Sequence, residues 1–348
     1  MSAYLILESG VIFEGIFFGS QGESTGQIVF TTGMAGYLET LTDPNYYGQM
    51  VLQTFPLIGN YGVIPSDFES KSIAPKAYIA KYPCQSPSNF RSEGNLDNFL
   101  KERGTVGICG IDTRALTKII RDNGTMNGKI TTSPPTESDR AEAEAYSICN
   151  AVAAVSPRTV SALGRGRRVA LLDLGSRRSL TEALIVRGCE VWSFPHDASV
   201  KDIMQIIPDG LVISNGPGDP ADPSNNKIIE TIRSLEQTGI TIFGICLGHQ
   251  LLAMAKGCST LKLKFGHRGA NQPVRDTLTG RIYITCQNHG YTVVSDACSF
   301  INVNDGTNEG MDYGNSFSVQ FYPDVAGGGH STSFLFDRFI ERMKARAV

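Results

Sequence analysis

The stretch Phe243-Gly-Ile-Cys-Leu-Gly-His-Gln250 decides how this chain is read, because it describes a cysteine raised on a sharp turn. The apolar run Ile240 to Phe243 predicts a buried strand that ends at Gly244, and Gln250-Leu-Leu-Ala-Met-Ala255 predicts an apolar helix. A cysteine between strand and helix places its sulfur at a helix N-terminus, where unpaired amides and the helix dipole favour a thiolate. Gly244 and Gly248 flank Cys246 at both two-residue offsets and let the backbone bend and a substrate carbonyl approach. A buried structural cysteine is the plainer reading of any one thiol. The paired glycines favour a nucleophile instead.

Working outward from that turn, the second half of the chain alternates strands and helices. Strands are expected at 169–174, 190–194 and 210–214, with helices at 179–187, 200–207 and 227–237 between them and the cysteine turn. Links this short between such elements predict a doubly wound α/β sheet, whose sites sit at the carboxyl ends of the strands. Ser214-Asn-Gly-Pro-Gly-Asp-Pro220 ends a strand as the cysteine turn does, so both are expected to share one crevice. Gln287-Asn-His-Gly-Tyr291, behind a strand at 281–285, reads first as a hairpin turn, and Lys264-Phe-Gly-His-Arg-Gly-Ala-Asn271 reads first as a loop.

The first half has another rhythm. Short strand-like runs at 4–7, 11–13, 27–30 and 50–54 alternate with glycine-rich turns. One clear helix follows at 112–121, with Asp112 or Thr113 as its cap and Gly124 as its stop. The expected organisation is a mixed α/β domain over 1–150, a basic connector over 151–167, and the doubly wound domain over 168–348.

Composition bounds the partners. With 348 residues, 41% hydrophobic, 19% charged and a net charge of −3, the chain is long enough for two cores. It gives no electrostatic reason to expect nucleic acid or an anionic membrane. No apolar segment approaches a membrane span, and the opening Met1-Ser-Ala-Tyr4 carries no basic region typical of a leader. None of the eight cysteines forms a Cys-x-x-Cys pair, so neither a metal site nor a disulfide framework is signalled. A reducing cytoplasm is the expected compartment. No Gly-x-x-x-x-Gly-Lys-Ser/Thr loop occurs; if ATP is used, another chain holds it.

Taken together these motifs resemble the class I glutamine amidotransferases, and within them the small subunit of carbamoyl-phosphate synthase. The resemblance rests on Gly244 to Gln250, Thr32-Gly-Met-Ala-Gly-Tyr37, Leu41-Thr-Asp-Pro44, Ile58-Gly-Asn-Tyr-Gly62, Ile111-Asp-Thr-Arg-Ala-Leu116, Arg121-Asp-Asn-Gly124, Ser214 to Pro220, 264–271 and Gln287 to Gly290. It implies a mixed α/β N-terminal domain followed by a doubly wound amidotransferase domain. It further implies glutamine hydrolysis, with ammonia passed to a large subunit that builds carbamoyl phosphate for arginine and pyrimidine synthesis. ATP and Mg are then expected on that large subunit and no cofactor on this chain. By the same resemblance Cys246 is the nucleophile, and the amides of Gly218 and Leu247 form the oxyanion hole. Glutamine would be held by Gly216, Gly218, Leu247, Gln250, Asn288, Gly290 and Tyr291, with Asn45 at a further contact.

Three departures qualify the expectation. The family closes its triad with Gln-x-His-Pro-Glu, whereas this chain reads Gln320-Phe-Tyr-Pro-Asp324, placing Tyr322 for the base histidine and Asp324 for the orienting glutamate. Asn45 replaces a serine, and Tyr291 replaces a phenylalanine. A phenol titrates near about 10, so at neutral pH it donates a hydrogen bond but hardly accepts a thiol proton. Impaired turnover is therefore expected, unless a histidine such as His330, eight residues beyond Tyr322, takes over the role. The alternative is a non-catalytic subunit that stabilises or regulates an ammonia-using synthetase. A cysteine peptidase on the same scaffold is a third, disfavoured by the family-specific N-terminal half.

Overall fold

The computed structural model describes residues 1–324 and 332–346, and the chain divides into two units, 1–149 and 150–348. In the first, seven strands close a barrel. Its order is Ser2–Leu7, Ile12–Gly19, Val106–Cys109, Ala77–Ile79, Gln49–Gln53, Ser24–Thr31 and Met126–Thr131, which pairs back with the first. Closure removes the free strand edges that a short open sheet would expose. Helix Thr113–Asn123 begins where the sequence places it: Asp112 Oδ1 accepts from the Ala115 amide at 2.9 Å, and Gly124 ends it at φ 99°. Its strands are buried on both faces: Ile28 and Met50 are fully buried, and their strand neighbours Val29 and Val51, on the opposite face, join Tyr78, Leu38, Leu41 and Leu100 in one core cluster.

The second unit is built on a ten-stranded sheet. Its parallel part runs Cys189–Phe194, Arg167–Leu172, Gly210–Ile213, Thr241–Ile245 and Phe317–Val319. Both faces of these strands are covered, which is why they read as continuous apolar runs rather than alternating ones. One face carries Leu180, Leu184, Phe336 and Phe339; the other carries Ile203, Ile232, Leu251 and Leu252. The doubly wound expectation holds here, and helices Arg178–Ile185, Val200–Gln205 and Asn226–Gln237 fall within a few residues of their predicted positions.

Three expectations are corrected. Residues 151–167 are not a bare connector: helix Ala151–Val155 and strand Ser161–Gly164, paired antiparallel to Cys189–Phe194, are both part of the second unit. The 264–271 stretch is not a loop but lies inside the strand Ser259–Asp276. Gln287 to Tyr291 is not a turn but lies inside the strand Ile282–Val294, and the two strands pair antiparallel across a bulge between Lys262 and His267. Polar residues on a buried strand have the composition of a turn, so sequence alone does not distinguish the two.

Candidate active site

Cys246 sits between strand Thr241–Ile245 and helix Leu247–Ala255 with φ 54° and ψ −107°, a backbone region that side chains other than glycine rarely occupy. Such a conformation costs about 1–3 kcal/mol and persists only where its surroundings enforce it. Leu247, Leu251 and Leu252 are almost wholly buried, and each contributes roughly 1.5–3 kcal/mol by that burial, more than enough to hold the turn. The Cys246 amide is also tied to the Val319 carbonyl at 2.9 Å.

The flanking glycines act through packing rather than through unusual dihedrals. A Cβ at Gly248 would lie 2.2 Å from the Ile213 carbonyl oxygen, and one at Gly244 would lie 2.6 Å from the Gly248 carbonyl oxygen. Helix and strands therefore approach at distances only glycine permits. The spacing Gly-x-Cys-x-Gly follows directly from that contact. The helix also starts three residues earlier than predicted, at Leu247, so the first helical amides lie immediately beyond the sulfur.

Several of the expected residues meet this turn. The Cys246 thiol donates to the Asn288 carbonyl oxygen at 3.6 Å. Gln250 Nε2 donates to the Tyr291 carbonyl at 2.8 Å and to Gln320 Oε1 at 2.9 Å, fixing the helix against the strand that carries Asn288, Gly290 and Tyr291. The Asn215–Pro220 loop joins the same region, since the Gly248 amide donates to the Ser214 carbonyl at 3.0 Å. A Cβ at Gly216 would collide with the Leu174 carbonyl oxygen at 2.5 Å and with Leu247 Cδ2 at 2.7 Å, and Gly218 takes φ 96°. The hydroxyl that distinguishes Tyr291 from phenylalanine pairs with the side chain of Asp219, and burial together with Asp219 raises its pKa well above the usual phenol value. Asn45 belongs to the first unit, buried in the Pro44–Tyr46 turn, its amide donating to Asp43 Oδ1 at 3.0 Å.

Tyr322 and Asp324 stand beside residues that the sequence reading missed. Tyr322 is buried in the same core cluster as Cys246, and its amide donates to the Cys286 carbonyl at 2.9 Å. The Arg177 guanidinium lies over its ring, 4.5 Å from the centroid. Asp324 Oδ2 accepts from the Ser179 hydroxyl at 2.6 Å and lies 4.0 Å from Arg177 Nη1. Arg177 itself is only 4% exposed. The available signal was positional: it follows the strand Arg167–Leu172 at its carboxyl end, where sites of doubly wound sheets form.

Three of the described histidine rings have other engagements. His249 Nδ1 meets Ser318 Oγ at 2.8 Å, and complete burial pulls its pKa down to about 3. His289 Nδ1 meets the Tyr291 carbonyl at 2.8 Å, and His267 Nε2 meets Asp305 Oδ2 at 2.8 Å. His330, the proposed substitute, lies outside the described residues. His267, His289 and Glu309 bring ligand-type atoms within 4.8 Å of one another. Asn302 and Gln287 already donate to the two Glu309 oxygens at 2.9 Å each, so the trio belongs to a hydrogen-bonded cluster.

Comparison with known proteins gives the family. Residues 5–130 match the family described as carbamoyl-phosphate synthase small chain, CPSase domain, and residues 170–342 match glutamine amidotransferase class-I. The chain is 46% identical to a carbamoyl phosphate synthase small chain of Fusobacterium nucleatum, over 97% of each. It is 45% identical to one of Clostridium perfringens, covering 98% of this chain and 99% of that protein. It is also 45% identical to a pyrimidine-specific small chain of Halalkalibacterium halodurans, covering 99% of this chain and 98% of that one. With both halves matched and identity this high over nearly the whole length, the chain belongs to the carbamoyl-phosphate synthase small chain family, with a class I glutamine amidotransferase domain as its second half.

Proposed function

We propose that this chain binds L-glutamine at Cys246 and supplies ammonia to a large, ATP-dependent carbamoyl-phosphate synthase subunit, with its own hydrolytic step slowed by Tyr322 and Asp324. The strained turn at Cys246, with the Asn288 carbonyl on its sulfur, is the observation that supports the reading most strongly. In the reaction, the sulfur attacks the side-chain amide carbon of glutamine while the thiol proton leaves. The amides of Gly218 and Leu247 would receive the developing oxyanion. The C–N bond breaks as the nitrogen takes up a proton, ammonia departs, and water then cleaves the glutamyl thioester to glutamate. Gln250, Asn288, Gly290 and Tyr291 would hold the substrate, with Gly216 keeping the loop close.

Both proton movements need a group that gives and takes protons near neutrality, which an imidazole does and a phenol does not. Acid–base assistance of this kind is worth roughly 10²–10⁴ in rate. Cysteine retains some thiolate unaided, more at a helix N-terminus, so attack persists while turnover is slow. No helix among the described residues is long and apolar enough to cross a membrane; we place the chain in the cytoplasm, with ATP and Mg on the partner subunit.

The decisive measurement is glutamine-dependent ammonia release by the purified chain with its large subunit. A rate matching histidine-bearing relatives would overturn the slowed-turnover reading. The same substitution favours one rival, a subunit that stabilises the synthetase without hydrolysing glutamine. Carbamoyl phosphate made from ammonium but not glutamine, and only when this chain is present, would establish that rival.

A further inference from the structure

The two histidines that the catalytic reading leaves aside face each other. His267 on Ser259–Asp276 pairs in register with His289 on Ile282–Val294, and both are buried. Their inner nitrogens, His267 Nδ1 and His289 Nε2, are 3.2 Å apart. The outer nitrogens each meet an acceptor: Asp305 Oδ2 lies 2.8 Å from His267 Nε2, and the Tyr291 carbonyl lies 2.8 Å from His289 Nδ1. Two neutral imidazoles possess one N–H each, and these two contacts use both. The inner nitrogens would then confront each other as bare lone pairs. Two further acceptors press on them: Glu309 Oε1 at 3.5 Å from His267 Nδ1, and Gln287 Oε1 at 2.9 Å from His289 Nε2. Gln287 Nε2 is already spent on Glu309 Oε2 and Thr285 Oγ1. A cluster of acceptors without enough donors is costly in a buried site.

We propose that the His267–His289 pair holds one extra proton, centred on His267, and that this buried cation positions the Tyr291 carbonyl and the glutamine-facing segment Asn288–Tyr291. With the third proton the inner pair gains one N–H: His267 still donates to Asp305 and His289 to Tyr291, and the added hydrogen lies between the inner nitrogens, facing Glu309 Oε1 when on His267 and Gln287 Oε1 when on His289. The Tyr291 carbonyl thus accepts from His289 on one side and from Gln250 on the other. The same strand presents the Asn288 carbonyl to Cys246.

The surrounding charges agree. Burial pulls His267 down, but hydrogen bonds to Asp305 and Glu309 outweigh it, and its pKa is pushed up to about 9. His289 is held well below the usual histidine range by burial, then by the His267 charge, with Arg268 and His249 adding to it. Burial would raise Asp305, yet its bonds to His267 and Thr307 bring it down to about 2; Glu309 stays raised because its burial is complete. His267 is therefore a positioning residue, and its hold on the strand is complete below pH about 6.5 and lost as the pH rises through about 9.

This inference rests on the glutamine-site reading, and two measurements on the full-length chain separate their failures. Imidazole nitrogen NMR at about pH 7.5 should show one histidine protonated on both nitrogens, a signal absent from His267→Gln. Both nitrogens of that pattern missing from the wild type, or a stoichiometric divalent metal found in the purified chain, would overturn the proposal. Second, alkylation of Cys246 by a diazoketone analogue of glutamine gives a half-saturating concentration and a limiting rate. Asp305→Asn and His267→Gln should raise the half-saturating concentration about tenfold while the limiting rate and the reaction with iodoacetamide hold nearly constant. In the wild type the half-saturating concentration should climb above pH about 9, and in the variants it should not. Unchanged half-saturation in variants of a wild type that does react sinks this inference. A wild type that the analogue never labels sinks the glutamine reading instead.

Discussion

The guanidinium of Arg177 lies over the ring of Tyr322, its carbon 4.5 Å from the ring centroid, with both groups almost fully buried. A cation in that position suits the electron-rich face of a phenol. It would oppose a second cation, so an imidazole placed there would be discouraged from taking up a proton. Asp324, which would have to orient and support such an imidazolium, is bonded to Ser179 instead. The residues around the triad positions are thus matched to the tyrosine.

That match makes reversal a two-residue problem. Tyr322→His alone should gain little glutaminase activity, because Arg177 disfavours the imidazolium and Asp324 remains with Ser179. Tyr322→His with Asp324→Glu lengthens the carboxylate by one methylene toward the new ring. It should raise ammonia release by roughly 10²–10⁴ over the parent chain. Equal rates for single and double variants would show that Asp324 contributes nothing to the deficit.

The backbone at Cys246 permits a stability test independent of activity. Glycine accepts φ 54° and ψ −107° without strain, whereas alanine suffers as cysteine does. Cys246→Gly should therefore be more stable than Cys246→Ala by about 1–3 kcal/mol in urea unfolding, although it removes more buried surface. The opposite order would mean that the turn is unstrained.

Gly248→Ala probes the helix–strand contact. The new methyl would lie 2.2 Å from the Ile213 carbonyl oxygen and 2.7 Å from its carbon, both backbone atoms that move only if the parallel strand does. A loss of about 3 kcal/mol is expected by denaturant titration, against less than about 1 kcal/mol for Gly94→Ala, whose Cβ would meet nothing within 4 Å and whose backbone is not in the positive-φ region.

How much of this was readable beforehand follows from where each signal resides. The doubly wound half was legible because parallel strands covered on both faces, such as Gly210–Ile213, write themselves as unbroken apolar runs between amphipathic helices. The barrel was not, since its closure depends on Ser2–Leu7 pairing with Met126–Thr131, more than a hundred residues away, with no local trace. Cys246 was found because its glycines are adjacent in sequence. Arg177 was missed because its partners Tyr322 and Asp324 are adjacent only in space. The polar strands at His267 and His289 passed for turns, since side-chain amides and imidazoles buried on a strand have the same composition as a loop.

Asp139 offers a pH test in the first unit. It accepts from the Thr136 amide at 2.8 Å in a capping box and pairs with buried Lys129 at 2.9 Å, which also meets Glu23 and Glu142. The Thr136 amide first, then Lys129, lower its pKa from 3.8 to about 2. A carboxyl depressed on folding contributes stability that is fully present above its unfolded value and disappears as the pH falls through its folded one. Between 3.8 and about 2 the wild type should lose stability progressively, and Asp139→Asn should lose less across that window while starting lower at neutral pH. Urea midpoints measured at several pH values for both proteins decide it. Parallel curves would mean that the carboxylate of Asp139 titrates alike in folded and unfolded chains, and that Lys129 is held by Glu23 and Glu142 without it.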